Sequence, residues 1–351
     1  MEASLKEPIF VTVVVPVRNE AAFIGRSLGA VLDQDYPSDF MEVIVADGRS
    51  EDATREAVRE MMKHHANLKL IDNPSRIVPT GLNLAIREAK GVIIIRVDGH
   101  TLVARDYVSE CVDALRRTGA DNVGGPMRAG GEGRFGRAVA AATSSRFGVG
   151  GARFHYSDKE EWVDTVYMGA WRRAALDRAG LFDEEMVRDQ DDELNYRLLD
   201  RGGRILLSPR IQSSYTVRGN SRSLWRQYFQ YGYWKVRVIQ KHPRQVRLRH
   251  LVPPAFAAAL VGSVIAACLV PRAVFLWAAV PASYAAANLL ASIASARRAG
   301  GSLLAHLAMI YAILHLSYGV GFLAGVARFC GRWREPAARR SSPVTGGDAS
   351  A

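Results

Sequence analysis

The chain has 351 residues and a formal net charge of +11, with 46 Lys and Arg against 35 Asp and Glu. The charge is unevenly placed, because residues 1–200 carry 26 cations against 33 acids, a net of −7, whereas residues 201–351 carry 20 against 2, a net of +18. A basic chain can bind nucleic acid, but here the cations lie beside apolar segments and the predicted binding crevice is acidic, which excludes nucleic acid as a partner.

The first hundred residues alternate between apolar runs and helical patterns. Strands are predicted at 10–17, 41–48, 68–73 and 92–98, and helices at 20–34, 50–65 and 79–89. Ser50 is the predicted N-cap of the second helix, because its hydroxyl can accept a hydrogen bond from the first turn. Apolar strands separated by helices of this length predict an α/β fold, a mainly parallel sheet covered by helices on both faces.

Polar side chains follow each of the four predicted strands. In a parallel sheet the carboxyl ends of the strands meet at one edge, and ligands bind beyond that edge. We therefore expect one crevice lined by the polar residues that come after the strands: Arg18, Asn19 and Glu20, then Asp47 and Asp52, then Asn73 and Arg76, and finally Asp98 and His100.

Asp98 and His100 are candidate metal ligands. They stand two residues apart at the end of the fourth strand, so their side chains point to the same side. The sequence has no glycine-rich dinucleotide fingerprint in the first turn and no phosphate loop, so a bound nucleotide needs another group to neutralise its diphosphate. Carboxylate and imidazole bind Mn²⁺ or Mg²⁺, with diphosphate oxygens and water completing the octahedron. Taken alone, an Asp-x-His pair is commoner in a simple turn, and its place at a strand end favours the metal.

Five segments in this order make the chain recognisable: "VVVPVRNEAAFIGRSLGAVLDQDYP", "VIVADGRSEDAT", "RVDGHT", "YMGAWRRAALDRAGLFDEEM" and "DQDDELNYRLL". Over residues 8–240 the chain resembles the family 2 nucleotide-sugar glycosyltransferases, whose fold is GT-A. The narrower likeness is to bacterial exopolysaccharide glucosyltransferases of the succinoglycan-assembly type, which share Asp-Gly-His and the "YGYWK" stretch. The resemblance implies an enzyme with a UDP-sugar donor and a divalent metal cofactor, Mn²⁺ or Mg²⁺.

The resemblance assigns the nucleotide sugar to residues that end or follow the strands: Pro16, Glu20, Asp47, Asp52, Arg76 and Asp98. Pro16 and Glu20 fall where the family's first loop holds the uridine, and Asp47 falls where an acid contacts the uracil. Asp98 and His100 occupy the family's metal-binding Asp-x-Asp motif. His100 replaces the second acid of that motif, which leaves the identity of the metal open.

The segment "RDQDDEL" carries the candidate catalytic base. The family's Glu-Asp pair falls on Gln190 and Asp191, so the resemblance makes Asp191 the base, and Asp189 and Asp192 are close enough in sequence to take that role instead. The acceptor or donor-sugar side is assigned to residues of this and two other motifs: Gly169, Trp171, Gln190, Gln230 and Trp234. Tyr233 stands where processive synthases carry Arg in Gln-x-x-Arg-Trp, which argues against a processive synthase.

Transfer of a sugar from a nucleoside diphosphate is a displacement at the anomeric carbon with a diphosphate leaving group. A metal or fixed cations must offset the leaving charge, and a carboxylate must accept the proton of the attacking hydroxyl. One base without a second nucleophilic carboxylate implies a single displacement with inversion, by analogy with inverting glycosidases.

The segment 221–250 is rich in cations and aromatic side chains and contains no acid. Its apolar residues and most of its cations separate at helical spacing, with Trp225, Phe229, Val236 and Ile239 on one face and Arg222, Arg226, Arg237 and Lys241 on another. We predict an amphipathic basic helix in the lipid headgroup region, with its aromatic side chains toward the acyl chains and its arginines toward phosphate. A solvated basic helix packed on the domain is the alternative.

Three apolar stretches follow, and each has the length of a transmembrane helix. They lie at about 251–270, 273–293 and 303–326. The positive-inside rule places the basic segment and the catalytic domain in the cytoplasm, which gives a multi-pass protein of the inner cell membrane. Three spans put the basic tail outside, so either one stretch is re-entrant or interfacial or the tail breaks the rule. The predicted domains are 1–220 (catalytic), 221–250 (interfacial helix and linker), 251–327 (membrane) and 328–351 (a disordered basic tail).

We expect the enzyme to move a sugar, glucose from UDP-glucose, to a lipid-linked saccharide in bacterial exopolysaccharide or cell-envelope glycan assembly. Two alternatives stay open: transfer to a polyprenyl monophosphate, and a catalytically inactive glycosyltransferase-like protein that acts as a membrane assembly partner. Gln190 and His100 depart from the family pattern and keep the second alternative open, whereas the presence of Asp47, Asp98 and Asp191 together argues against it.

Overall fold

A computed structural model describes residues 7–270, 272 and 274–334. Its first elements follow the order expected from the sequence: β1 (Val11–Val17), α1 (Ile24–Leu32), β2 (Met41–Asp47), α2 (Thr54–Met62), β3 (Leu68–Asp72), α3 (Val78–Glu88) and β4 (Ile93–Arg96). β1, β2 and β4 are almost completely buried, because helices cover both faces of the sheet. The seven predicted elements of this region are therefore confirmed.

The second helix begins later than the sequence suggests. α2 starts at Thr54 without a side-chain cap, and the Ser50 hydroxyl donates to Asp47 Oδ1 at 2.5 Å instead. The prediction of Ser50 as an N-cap is therefore wrong. A hydrogen bond from the hydroxyl to a buried carboxylate is stronger than one that the hydroxyl would accept from a backbone N–H.

The remainder of the catalytic half contains shorter elements: β5 (Thr101–Val103), α4 (Tyr107–Thr118), β6 (Asn122–Gly124), β7 (Met127–Gly130), α5 (Gly133–Thr143), α6 (Arg146–Val149), β8 (Glu161–Trp162), β9 (Ala170–Arg172), α7 (Arg173–Ala179), α8 (Gln190–Asp200), β10 (Ile205–Leu207) and β11 (Ser213–Thr216). Apolar residues of α1, α2 and α4 form one core against the central sheet, and those of α3, α7 and α8 form another core on its opposite face.

Eight strands form the central sheet in the order β3-β2-β1-β4-β9-β6-β10-β8, and β5-β11-β7 form a smaller second sheet. The pairs β2–β3, β1–β2, β1–β4 and β6–β10 are parallel, whereas β8 and β9 run antiparallel to their neighbours. The expected α/β fold with a mainly parallel sheet is confirmed. The parallel strands end at one edge of the sheet, and the candidate site lies there.

Four long helices complete the described chain: α9 (Ser221–Lys241), α10 (Leu248–Leu269), α11 (Val274–Ala299) and α12 (Leu304–Phe329). Three segments in this part of the chain are long and apolar enough to cross a membrane: Leu248–Leu269, Trp277–Ala299 and Gly301–Trp333. They coincide with the three stretches predicted from the sequence and imply that the protein associates with a membrane. Of the predicted tail, residues 335–351 lie outside the described residues.

The apolar face of α9 packs against α12. Val236 and Ile239 join Phe322 and Phe329 of α12 in one apolar cluster. The two helices approach closely because α12 carries glycine at the contact, where a Cβ added at Gly321 would meet the backbone of α9. The sequence located this apolar face, but the prediction that it contacts acyl chains is wrong for these residues, because another helix covers them.

Two of the cations predicted to face lipid phosphate are paired with acids of the protein. Arg237 donates to Glu185 at 2.9 Å, and Lys241 donates to Asp183 at 2.6 Å. These acids precede their partners by 52 and 58 residues, beyond the reach of a helical pattern. Arg222 and Arg226 are exposed, so contact with anionic lipid stays a prediction for them.

Candidate active site

A cavity of about 1300 Å³ lies beyond the carboxyl ends of the parallel strands. Seven of the predicted site residues line it: Pro16, Glu20, Arg76, Asp98, His100, Gln190 and Asp191. The neighbouring strands β1 and β4 bring most of them together, and the start of α8 adds the last two. Six of the nine residues expected after the strands line this cavity, and Asn19, Asp47 and Asp52 do not.

Arg96, the last residue of β4, lies at the centre of the site. Its side chain is 5% exposed and donates from Nε to Asp98 at 2.8 Å and from Nη1 to Asp191. Burial acts to lower the pKa of Arg96, but the charges of Asp191 and Asp98 outweigh burial and raise it above its usual value. One fixed cation therefore holds the candidate base beside the candidate metal ligand.

The aspartates at the start of α8 divide between two cations. Asp191 faces Arg96, whereas Asp192 accepts from Lys235 of α9 and, at 2.6 Å, from the hydroxyl of Thr165. Lys235 Nζ also lies 3.3 Å from Asp189. Successive residues at a helix start point in directions about 100° apart, so adjacent acids can reach different partners.

These partners give the three carboxylates different proton affinities. Burial raises the pKa of Asp191 to about 6, with the charge of Arg96 opposing the rise, and burial raises the pKa of Asp189 to about 7. Burial acts the same way on Asp192, but Lys235 outweighs it and holds the pKa of Asp192 well below its usual value. A general base needs a pKa near but below the working pH and access to its substrate. Asp191 keeps 24% of its side chain exposed against 10% for Asp189, so Asp191 fits that role best.

Asp98 and His100 fit a divalent cation that has two protein ligands. His100 Nδ1 lies 3.0 Å from Glu20 Oε1, so a proton on Nδ1 leaves the Nε2 lone pair available. Burial acts to lower the pKa of His100, but the bond to Glu20 and the charge of Asp98 raise it, so a metal must compete with a proton there. Among the described residues, no three His, Cys, Asp or Glu side chains gather into a closed metal site. The pair instead suits an open site completed by diphosphate and water.

Asp47 and Asp52 lie behind the cavity wall. The Asp47 side chain is buried and accepts from Arg55 at 2.7 Å and from Ser50. Asp52 accepts from the backbone N–H of Ala21 at 3.1 Å, which ties the loop before α2 to the loop after β1. Asp47 thus fixes the loop between β2 and α2, and Asp52 joins that loop to the one after β1. Direct contact with the nucleotide stays a prediction for both.

Gly169 and Trp171 belong to the core beneath the site. Trp171 is buried and packs edge-on against Phe182, with ring centroids 5.7 Å apart. Gly169 has a φ of +88°, and a Cβ there would lie 2.6 Å from the Trp171 ring, so only glycine fits. The Gly169 carbonyl accepts from the backbone N–H of Arg96 at 3.0 Å. The prediction that these two residues contact a sugar is therefore wrong. They belong to the core that supports Arg96.

α9 turns a different face to the cavity from the one predicted. Trp234 Nε1 donates to Gln230 at 3.2 Å, and neither residue lines the cavity. The residues of α9 that do line it recur at helical spacing: Leu224, Gln227, Tyr228, Tyr231 and Lys235. The prediction for Gln230 and Trp234 is wrong because a motif match fixes a position in the sequence, whereas packing on α12 fixes the rotation of the helix.

Arg96 and Lys235 are the site residues that the sequence analysis missed. Arg96 interrupts the apolar run of β4, and Lys235 falls outside the basic face of its helix. A cation in a buried position requires buried acids as partners, so each of these irregularities was a usable signal. Neither revealed which acid it pairs with.

Known proteins resemble this chain in sequence and in fold. Residues 12–180 match the family model described as Glycosyl transferase family 2. The succinoglycan biosynthesis protein ExoA of Rhizobium meliloti (strain 1021) is 31% identical over 316 residues, which are 88% of this chain and 93% of that protein. The dolichyl N-acetyl-alpha-D-glucosaminyl phosphate 3-beta-D-2,3-diacetamido-2,3-dideoxy-beta-D-glucuronosyltransferase of Methanococcus voltae is 27% identical over 66% of this chain and 74% of its own length.

A solved structure confirms the fold. The mannosyltransferase PcManGT from Pyrobaculum calidifontis, in complex with GDP-Man and Mn2+, has a TM-score of 0.60 at 24% identity and covers 90% of this chain and 87% of its own. The expected GT-A fold is thereby borne out. From the family model and from the ExoA relative, which matches over most of both chains, it follows that the chain belongs to glycosyl transferase family 2 and is a glycosyltransferase.

Proposed function

We propose that this glycosyltransferase moves a sugar, glucose from UDP-glucose, with inversion to a lipid-linked saccharide in exopolysaccharide or cell-envelope glycan assembly. The observation that carries the proposal is the pairing of Arg96 with both Asp98 and Asp191 in one cavity. Transfer from a nucleotide sugar needs a base and a counter-charge for the leaving diphosphate at one anomeric carbon. Asp191 offers the base, and Asp98 would be a ligand of the metal that supplies the counter-charge.

Asp191 is the proposed base. The oxygen of the acceptor hydroxyl forms a bond to the anomeric carbon while the bond from that carbon to the diphosphate oxygen breaks. The hydroxyl proton passes to the Asp191 carboxylate, and the electron pair of the broken bond leaves with UDP. A pKa of about 6 keeps Asp191 ionised at neutral pH and makes it a better proton acceptor than an ordinary aspartate. A single displacement inverts the centre, so an α-linked donor gives a β-linked product.

The donor diphosphate belongs at the other side of Arg96. Asp98 and His100 would hold Mn²⁺ or Mg²⁺, which neutralises charge on the leaving group when it is bound. Pro16 and Glu20, at the end of β1 and in the loop after it, take the uridine, and Arg76 lines the same part of the cavity. Glu20 also orients the His100 ring through the bond to Nδ1.

A lipid-linked acceptor is supported by the C-terminal helices and by the relatives. Three candidate spans follow the catalytic half directly. The ExoA relative is named for succinoglycan biosynthesis, and the Methanococcus voltae relative is named for transfer to a sugar on dolichyl phosphate. The exposed cations Arg222 and Arg226 precede the first span and, by the positive-inside rule, support a catalytic half on the cytoplasmic side of the inner membrane.

The proposal is tested by supplying radiolabelled nucleotide sugars to membranes that contain the protein and a lipid-linked saccharide. We expect label from UDP-glucose in the lipid-saccharide fraction, appearing at least about a hundredfold more slowly with Asp191→Asn. Label on polyprenyl monophosphate without a preformed saccharide would favour the alternative acceptor. No transfer from any donor, with UDP binding intact, would favour an inactive assembly protein.

A further inference from the structure

The catalytic cavity extends beyond the carboxylates. Residues of the C-terminal helices also line it, and part of that wall is apolar. This part, the apolar branch, is lined by Pro253 and Phe256 of α10 and by Val280 and Ala287 of α11. A nucleotide sugar has no apolar segment that could fill this branch, so the branch fits a different ligand.

The apolar branch opens sideways between α10 and α11. Val252 lines the cavity and is nevertheless 60% exposed, and Ser283 and Ala287 also both line the cavity and are exposed. All three residues lie within the candidate spans Leu248–Leu269 and Trp277–Ala299. When these helices cross a bilayer, the opening faces acyl chains, and an apolar chain can enter the branch without contacting water.

An arginine of α6 lines the cavity beside α12. Arg146 lines the cavity, and the next residue is fixed to α12 because the Phe147 carbonyl accepts from His315 Nε2 at 2.8 Å. No described carboxylate oxygen lies within 4 Å of Arg146, whose guanidinium carbon is 5.6 Å from the centre of the Tyr156 ring. Arg249, which lines the same cavity, is by contrast paired with Asp164 at 2.7 Å. Arg146 therefore has its donors available for an anionic ligand.

We propose that this branch binds the long-chain lipid phosphate of the acceptor, with the phosphate at Arg146 and the chain leaving between α10 and α11. The inference rests on the proposed function, because it takes the acceptor to be lipid-linked. It adds where the lipid binds and from which side it enters. A lipid held in this way directs its saccharide toward Asp191 while its chain stays in the bilayer.

Binding of farnesyl diphosphate tests the proposal without any turnover. The full-length protein in lipid nanodiscs should bind farnesyl diphosphate at least about tenfold more tightly than isopentenyl diphosphate, which has the same head group and a short tail, because the longer chain buries more apolar surface. Ala287→Trp fills the branch and should abolish this difference. Ala285→Trp, at an exposed position of the same helix outside the cavity wall, is the matched control and should retain it.

The head-group contact is tested separately. Arg146→Gln should weaken farnesyl diphosphate binding by about tenfold, the loss expected for a charge-assisted hydrogen bond, and leave UDP affinity unchanged. Arg134→Gln, an exposed change outside the cavity, is the control for loss of surface charge. UDP affinity also confirms that each variant is folded.

A photoreactive benzophenone-tailed farnesyl diphosphate shows where the chain lies. We expect cross-links to the segments of α10 and α11 that line the branch, and their loss in Ala287→Trp. Equal cross-linking of the outer helix surfaces, or no effect of Ala287→Trp, would overturn the inference. Normal transfer to a lipid-linked saccharide by Ala287→Trp would overturn it while leaving the proposed function intact. Cross-linking in the branch without transfer to any lipid-linked acceptor would instead contradict the proposed function and still support the lipid site.

Discussion

Two buried cations hold the carboxylates of the site from opposite sides. Arg96 comes from the sheet and pairs with Asp191, whereas Lys235 comes from α9 and pairs with Asp192. Asp191 keeps access to the cavity and a pKa of about 6, while the pKa of Asp192 is held well below its usual value, because Lys235 and the Thr165 hydroxyl both stabilise its charged form against the effect of burial. Adjacent acids of one sequence motif thus have different partners: Arg96, the sheet side, holds the candidate base Asp191, and Lys235, the helix side, holds its neighbours Asp189 and Asp192.

The helix side also joins the catalytic half to the candidate membrane helices. α9 packs along α12 through Val236 and Ile239, and Lys235 extends from the same helix to the start of α8. The position of Asp191 is therefore fixed jointly by β4 of the catalytic sheet and by helices outside it. Changes that remove one support at a time separate their contributions.

Removing the metal that Asp98 and His100 would hold should abolish transfer. We expect EDTA to abolish transfer and Mn²⁺ or Mg²⁺ to restore it, because the leaving diphosphate then lacks its counter-charge. Asp98→Ala should lose both activity and metal-dependent UDP binding, measured by titration calorimetry with and without metal. His100→Asp is the control and should stay active, since it restores the commoner ligand of the family motif. Full activity in EDTA would rule out the metal on this side.

Breaking the helix side should unfold the protein more readily. Lys235→Met leaves Asp189 and Asp192 without their buried cation, which should lower the free energy of unfolding by about 3–5 kcal/mol. Thermal unfolding in detergent measures the loss, and Lys159→Met, at an exposed lysine, is the control. Adding Asp192→Asn to Lys235→Met should recover part of the stability. Equal stability of the two single lysine variants would show that the helix side anchors nothing.

The pH dependence of turnover should report the base on the sheet side. Because Asp191 must be ionised to accept a proton and burial raises its pKa to about 6, activity should be full above that pH and fall as the pH drops through it. Below that point kcat should fall about tenfold for each pH unit. A rate that stays constant down to the usual range of an aspartate pKa would contradict the assignment.

A smaller effect is expected at the outer end of the helix side. Glu185 accepts from Arg237 and Lys241 of α9; burial acts to raise its pKa, but these cations outweigh burial and lower it from 4.5 to about 2. A depressed pKa means that this contribution to stability is present above 4.5 and is lost as the pH falls toward 2. Glu185→Gln should lower the free energy of unfolding at neutral pH by about 2 kcal/mol. It should also flatten the stability loss across that acid range, and an unchanged pH profile would show that the pairs contribute nothing.

The sequence predicted the parts of the molecule that depend on local periodicity and on the geometry of a parallel sheet. β1 to β4 are apolar runs, and this pattern predicts their positions. Because the strands are parallel, their carboxyl ends meet at one edge of the sheet. This places Glu20, Asp98 and His100 in one cavity. The short strands β8 and β9 have two and three residues and carry no readable period, so the antiparallel part of the sheet was not predicted.

The sequence does not predict which acids pair with the buried cations. Arg96 and Asp191 are 95 residues apart, and Lys235 and Asp192 are 43 residues apart, so each pairing depends on the complete path of the chain. The rotation of α9 also depends on another element, the glycine-bearing face of α12. The sequence motif predicts Gln230 on the acceptor or donor-sugar side, whereas its neighbour Tyr231 lines the cavity.

The central claim is that Asp191, held by Arg96, is the general base. The most direct test measures single-turnover transfer and UDP affinity side by side for Asp191→Asn, Asp189→Asn and Asp192→Asn. We predict that Asp191→Asn binds UDP as the unmodified protein does and slows transfer by at least about a hundredfold, while the other two variants slow it far less. Near-normal transfer by Asp191→Asn, together with a collapse in Asp189→Asn or Asp192→Asn, would contradict the claim and move the base to that residue.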